Sequence, residues 1–223
     1  MTGWLYEPAS GAAKALFICA HGAGGHMADR GMQALAPRLR QSGLDLLRFN
    51  FPYREKGSRR PDPMPVLKSS FTSIVERARR ELGPPKLILG GRSMGGRVAS
   101  LLAAEGFACD GLLLLAYPLH PAGKPEKLRD AHLGRIKVPV LCVNGTNDAL
   151  CRRELMDPVA QTLNAAWEMH WLEEADHSFH VPKSSARDDN AVLDELAEVT
   201  QRWVSRLGGY SAPISGSGLF LSR

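Results

Sequence analysis

The residues that could do chemistry gather around one serine. "LILGGRSMGGRVASLLAAEG", residues 87–106, is an apolar strand-like run followed by four glycines about Ser93. Two phosphate-cradling readings fail on their own mechanism. GxxxxGK[ST], tried from Gly91 to Gly96, would need Lys and Ser/Thr next, and the chain has Arg97 and Val98. The lysine that reaches the phosphates and the hydroxyl that holds Mg²⁺ are both missing. GxGxxG fails in "HGAGGHM", where Met27 follows Gly22 and Gly24 at the third glycine position. A steric reading fits instead. Gly91-Arg92-Ser93-Met94-Gly95 is GxSxG between a predicted strand and a predicted helix, the context of a serine perched on a sharp turn. Side chains two residues either side of such a serine would collide, and glycine there removes the collision. The turn lifts the hydroxyl above the sheet and aims the positive helix end at it.

A hydroxyl is a weak nucleophile. It needs a base to take its proton, a carboxylate to orient that base, and N–H donors for the oxyanion. Asp148 in "VLCVNGTNDALC" follows an apolar run, at the C-terminal strand end where α/β sites gather. Asp110 precedes its strand, Asp130 lies in a charged segment and Asp157 in a helix. His177 in "LEEADHSFH" follows the next strand; His180 is a rival, His170 lies within the strand, and Asp176 reads as loop-shaping. The order Ser, Asp, His is the one this geometry uses. For the oxyanion, "AHGAGGHMAD" offers the N–H of Ala23 or Gly24, and Met94, next after the serine, offers the second. Tyr53, Arg54, Arg92 and segment 117–129 are expected near a substrate; Arg92 reads equally as a structural ion-pair partner. His21 and His26 lack a carboxylate-rich partner set, so no metal is expected, and no cofactor.

The elements that must position these residues alternate along the chain. Strands are expected at 14–22, 45–53, 86–90, 111–118, 138–145 and from 167, and helices at 31–43, 70–82, 97–106, 152–164 and 189–209. Pro37 should kink or shorten the first helix and Pro158 should interrupt the fourth. The strand runs are short and continuously apolar, which means burial on both faces in a mainly parallel sheet of about six to seven strands with helices on both sides. Residues 1–207 read as one domain, and 208–223, "YSAPISGSGLFLSR" with its flanks, as a Gly/Ser-rich tail. The segment between the strands at 111–118 and 138–145 is short, so the expected lid is minimal or absent.

Composition narrows the function classes. The chain has 223 residues, 44% hydrophobic and 23% charged, as ordinary globular proteins do. Its net charge of +5 comes partly from "REKGSRR" (54–60) and "GKPEKLRDAHLGRIK" (123–137). Without interleaved aromatics these stretches read as solvated surface rather than a nucleic-acid face, and attraction of anionic substrates stays open. No apolar run approaches about 18 residues, so no membrane span is expected. Four cysteines without CxxC, and no apolar signal segment in "MTGWLYEPASGAAK", favour a reducing, cytoplasmic location.

With these motifs in hand, the sequence resembles the α/β-hydrolase superfamily, and within it the compact dienelactone-hydrolase-like and testis-expressed/KANSL hydrolase-like group. The resemblance rests on "HGAGG" (21–25), "FNFPY" (49–53), "RRPDP" (59–63), "GGRSMGGRVAS" (90–100), "YPLHPAGKPEKLR" (117–129), "NGTND" (144–148) and "DHSF" (176–179). It implies the hydrolase fold, with Ser93 as nucleophile, Asp148 as acid and His177 as base, acting on a small ester or thioester. Dienelactone hydrolases usually carry a nucleophilic cysteine, so the serine here points away from dienelactone. Some relatives in the group are thought to be scaffolds, and a non-catalytic interaction module is the competing expectation.

Overall fold

The computed structural model describes residues 3–163 and 166–207; the expected tail, 208–223, lies outside the described residues. Seven strands form one sheet in the order β1-β3-β2-β4-β5-β6-β7. β2 (Ala15–Ala20), β3 (Leu44–Phe49), β4 (Leu87–Arg92), β5 (Gly111–Leu115), β6 (Val140–Gly145) and β7 (Trp167–Leu172) run parallel. β1 (Trp4–Glu7) adds an antiparallel edge against β3, Trp4 opposite Phe49. This strand escapes sequence reading because it is four residues long and only half buried, so its apolar signal is weak.

Each inner strand splits its side chains between two cores, as a two-residue period requires. Leu16, Ile18 and Ala20 of β2 face one core with Phe71, Ile74, Val98 and Leu102. Phe17 and Cys19 face the other with Met32, Leu39, Leu196 and Trp203. The first core is covered by α3 (Met64–Leu82) and α4 (Met94–Ala104), the second by α1 (Arg30–Gln41) and α6 (Asp189–Arg206). α5 (Arg153–Gln161) contributes Met156 to the first core. Helices therefore cover both faces. Between β5 and β6 the described chain forms only a 3-10 turn, Leu133–Arg135, and among the described residues no lid stands over the sheet.

Several boundaries differ from expectation. Pro37 neither kinks nor shortens α1, which runs twelve residues through it. Its ring is solvent-exposed, while Met32, Leu35, Ala36 and Leu39 anchor the opposite face and Asp29 caps the first turn by accepting the Met32 N–H. α5 likewise continues through Pro158. The strand expected over 45–53 stops at Phe49, because Pro52 opens a one-turn helix, α2 (Pro52–Glu55), that buries Tyr53. α3 starts at Met64, with Pro65 in its first turn, rather than at 70. α4 starts at Met94, so Gly95 and Gly96 are helical, not part of a loose loop.

The glycines of the turn answer to the neighbouring strand. A β-carbon on Gly91 would overlap the carbonyl oxygen and nitrogen of Ala20, and one on Gly95 would overlap the same carbonyl. Gly91 also has φ +139, outside the range of L side chains. Gly91→Ala is expected to lose more than about 4 kcal/mol of stability, read as a collapse of the thermal midpoint, because neither backbone can yield. Gly134→Ala, where a β-carbon meets nothing within 4 Å, should leave the midpoint nearly unchanged.

A second expectation concerns acid. His132 is buried beside the 3-10 turn, its Nε2 2.8 Å from Ser100 Oγ on α4. Burial first, then the charges of Arg97 and Arg135, bring its pKa from 6.5 down to about 4. Between those values the unfolded chain binds the proton that the folded chain refuses, so stability falls as pH drops from 6.5 to about 4 and this contribution then levels off. Thermal melts across that window should show a shallower pH slope for His132→Gln than for the unsubstituted chain.

Candidate active site

β4 ends at Arg92, and the next residue carries the strain. Ser93 has φ 50 and ψ −114, a left-handed conformation that a non-glycine residue adopts only when its surroundings impose it. The surroundings are identifiable: the Ser93 N–H donates to the Leu115 carbonyl (2.8 Å), its carbonyl accepts from the Arg97 N–H (3.0 Å), and Gly91 and Gly95 press against β2. Ser93 thereby stands at the C-terminal end of the sheet.

Residues from two other strand ends reach it. His177 Nε2 lies 2.8 Å from Ser93 Oγ, and His177 Nδ1 lies 2.9 and 2.8 Å from Asp148 Oδ1 and Oδ2. The Asp148 side chain is wholly buried, and its carboxylate is satisfied by Asn144 Nδ2 at 3.0 Å on Oδ2 and the Leu150 N–H at 2.8 Å on Oδ1. An ionised carboxylate only accepts, so the proton on the ring belongs on Nδ1. Nε2 is then free to accept from the Ser93 hydroxyl. Cys142 and Cys151, also buried near this carboxylate, have thiol pKa values raised chiefly by burial, so they add no charge there.

Asn144 was legible in "NGTND" but carried no expected role. Its Nδ2 spans Asp148 and the Tyr117 carbonyl (3.1 Å), and its Oδ1 accepts the Tyr117 N–H (3.0 Å). It locks the carboxylate to the segment after β5. Gly145, beside it, leaves room for the Ala175 carbonyl, which a β-carbon would overlap; the histidine loop thus closes directly against the aspartate loop.

The expected oxyanion donors divide. The Met94 N–H is in the first turn of α4, where no helical acceptor exists, and among the described residues neither it nor the Ala23 N–H has a protein partner. Both residues line one cavity with Ser93. Gly24 differs: its N–H donates to Tyr53 Oη at 3.1 Å, so on this loop the Ala23 N–H is the one without a protein partner among the described residues. Tyr53 correspondingly differs from expectation. It is 2% exposed and lines neither cavity at Ser93; it holds the 22–24 loop from beneath. His21 does the same from the other side. Burial lowers its pKa, the neutral ring accepts the Phe51 N–H at Nε2 (3.2 Å), and Nδ1–H donates to the Gly22 carbonyl (2.8 Å). His26 is paired with Asn50.

Arg54 lines neither cavity; its Nη1 donates to the Ser58 carbonyl at 3.0 Å. Arg92 does line one, and donates to the His177 carbonyl at 3.3 Å, which ties it to the histidine loop rather than to a carboxylate. His180 turns away to Asp189 (2.7 Å), His170 pairs with Glu195 (2.8 Å), and Asp176 shapes the loop by accepting the Ser178 and His180 N–H groups.

Two cavities meet at Ser93. One of about 390 Å³ is lined by Ala23, Asp62, Met94, Arg97, His120 and Arg129 among others. The other, about 330 Å³, contains His177, Arg92 and Ser178. Segment 117–129 forms a wall of the first through Pro118, His120 and Arg129. Among the described residues no cluster of three His, Cys, Asp or Glu side chains is arranged to hold a metal ion.

Comparison with known proteins agrees with this architecture. The alpha/beta hydrolase domain family matches residues 13–205. An alpha-beta serine hydrolase homologue from Coxiella burnetii superposes with TM-score 0.71 at 22% identity, covering 89% of this chain and 89% of that one. Est1E from Butyrivibrio proteoclasticus, solved with ferulic acid bound, gives TM-score 0.74 at 16% identity over 94% of this chain and 96% of its own. A serine hydrolase without a lid from Xanthomonas campestris gives 0.68 at 20% identity, with coverages of 91% and 88%. A seven-stranded sheet of this order and a family match over nearly the whole described chain lead to one conclusion: the chain belongs to the alpha/beta hydrolase family.

Proposed function

We propose that this protein is a serine hydrolase that cleaves a small ester or thioester through an acyl-enzyme. The observation that carries the reading is the unbroken chain Ser93 Oγ, His177 Nε2, His177 Nδ1, Asp148, with contacts of 2.8 to 2.9 Å. His177 Nε2 takes the Ser93 proton as Oγ bonds to the carbonyl carbon. The oxygen, now negative, is held by the Ala23 and Met94 N–H groups. The carbon–oxygen or carbon–sulfur bond breaks, and the leaving group departs with the proton from His177. Water then attacks the acyl-serine with His177 again as base, which frees the acid and restores the hydroxyl. Asp148 keeps the ring in its working tautomer and offsets the positive charge that it acquires.

The lidless rim and the small cavities support a small substrate over a long lipid. The free state of Cys19, Cys109, Cys142 and Cys151 supports a reducing, cytoplasmic setting. Among the described residues no helix is long and apolar enough to cross a membrane. A non-catalytic module would have no use for a buried carboxylate that is satisfied so fully and aimed at an imidazole.

A fluorophosphonate probe should label the wild-type chain and fail on Ser93→Ala. 4-Nitrophenyl acetate turnover should fall by about 10⁴-fold or more in Ser93→Ala and about 10⁴-fold in Asp148→Asn. Absence of labelling on folded wild-type protein would instead favour the module. Asn144→Ala should lower kcat about 10- to 100-fold with little change in KM, because it frees the carboxylate without touching substrate; an unchanged kcat would remove Asn144 from the positioning set.

A further inference from the structure

The first cavity at Ser93 holds more positive charge than a neutral ester needs. Arg97 lies one helical turn beyond the serine, tied to it by the 3.0 Å backbone bond, and Arg129 comes from the far side of segment 117–129. Both residues line the cavity. Among the described residues neither has a carboxylate partner: Arg97 Nε is buried without any hydrogen-bond acceptor, and Arg129 Nη1 has only the Pro118 carbonyl at 3.5 Å. Arg129 feels burial first and Arg97 next, and both lower its pKa. Two positive side chains share this small space with one carboxylate, Asp62, and the positive excess calls for an anion from outside.

The wall that presents Arg129 is built rather than loose. Its backbone N–H donates to the Leu119 carbonyl (2.7 Å), and its own carbonyl accepts from the buried Tyr117 hydroxyl (2.7 Å). Asp62 also lines the cavity, with Oδ2 buried and unpartnered. Among the described residues it forms no ion pair with either arginine, so one negative and two positive side chains line the cavity.

The position of His177 decides which half of an ester enters. A leaving group must receive its proton from His177, which lines the second cavity and not the first. The first cavity is left for the acyl half. We infer that the physiological substrate is an ester or thioester whose acyl chain carries a carboxylate, held by Arg97 and Arg129. This rests on the serine-hydrolase reading above. No new covalent step is involved; the arginines bind and orient.

The test compares mono-4-nitrophenyl adipate with its neutral methyl ester by the ratio of their kcat/KM values. The wild-type ratio should be about tenfold or more in favour of the anion and should shrink with added salt. Arg97→Gln and Arg129→Gln should each bring it toward one, and Asp62→Asn should raise it. Arg129 is half-buried on a loop, so its variant keeps the test alive if Arg97→Gln does not fold. A wild-type ratio near one, or a preference that both arginine variants retain, overturns the inference. The two readings fail separately. Cleavage of the methyl ester with probe labelling at Ser93 but no preference sinks only the charge selection. Cleavage of neither ester, with no labelling, sinks the hydrolase reading and this inference with it.

Discussion

The structure depends on a contact between two stretches of backbone. At the end of β4 the chain must turn from strand into helix within one residue, and it does so pressed against Ala20 of β2. Only glycine fits at 91 and 95, because the obstacle on the other side is a main-chain carbonyl that cannot rotate away. That closeness holds Ser93 at φ 50, a conformation costing on the order of 1–3 kcal/mol that the neighbouring strands offset. A relaxed serine would lie along the helix. A strained one stands above the strand ends, where side chains from other loops can reach it.

What reaches it is organised by burial. The Asp148 carboxylate is removed from water, which would be costly for a lone charge, and its oxygens are satisfied by Asn144, the Leu150 N–H and the His177 ring. Because each of these partners is fixed by other bonds, the imidazole has one orientation. The fit between the loops after β6 and β7 relies on the same device as the elbow: at Gly145 a missing side chain lets the Ala175 carbonyl pass. Close backbone approach thus recurs at both joints that bring Ser93, His177 and Asp148 together.

The substrate side follows a different logic. The 22–24 loop is held by Tyr53 and His21, buried groups that line neither cavity at Ser93, while Ala23 lines the first of them. Charge on the rim comes from distant parts of the chain, Arg97 on α4 and Arg129 after β5. Part of the mild basic excess of the sequence is collected here: two arginines without a carboxylate partner among the described residues line one cavity beside Ser93.

The sheet and the strand ends that carry the three candidate site residues could be read from the residues alone, because those signals are local. A buried parallel strand must be continuously apolar, a cramped turn must be glycine, and a motif directly after a strand must sit at that strand's C-terminal end. Ser93, Asp148 and His177 were legible on these grounds. Three kinds of feature were not. β1 is too short and too exposed to leave an apolar pattern. Pro37 carries a local penalty that the buried face of α1 outweighs, and no window of sequence weighs the two. The engagement of Gly24 but not Ala23, the retreat of Tyr53 into the core, and the placing of Arg97 and Arg129 on one cavity all depend on residues tens of positions apart being brought together. Tertiary structure decided them, because a hydrogen bond or a shared cavity is a property of a pair and leaves no mark in either partner's neighbourhood alone.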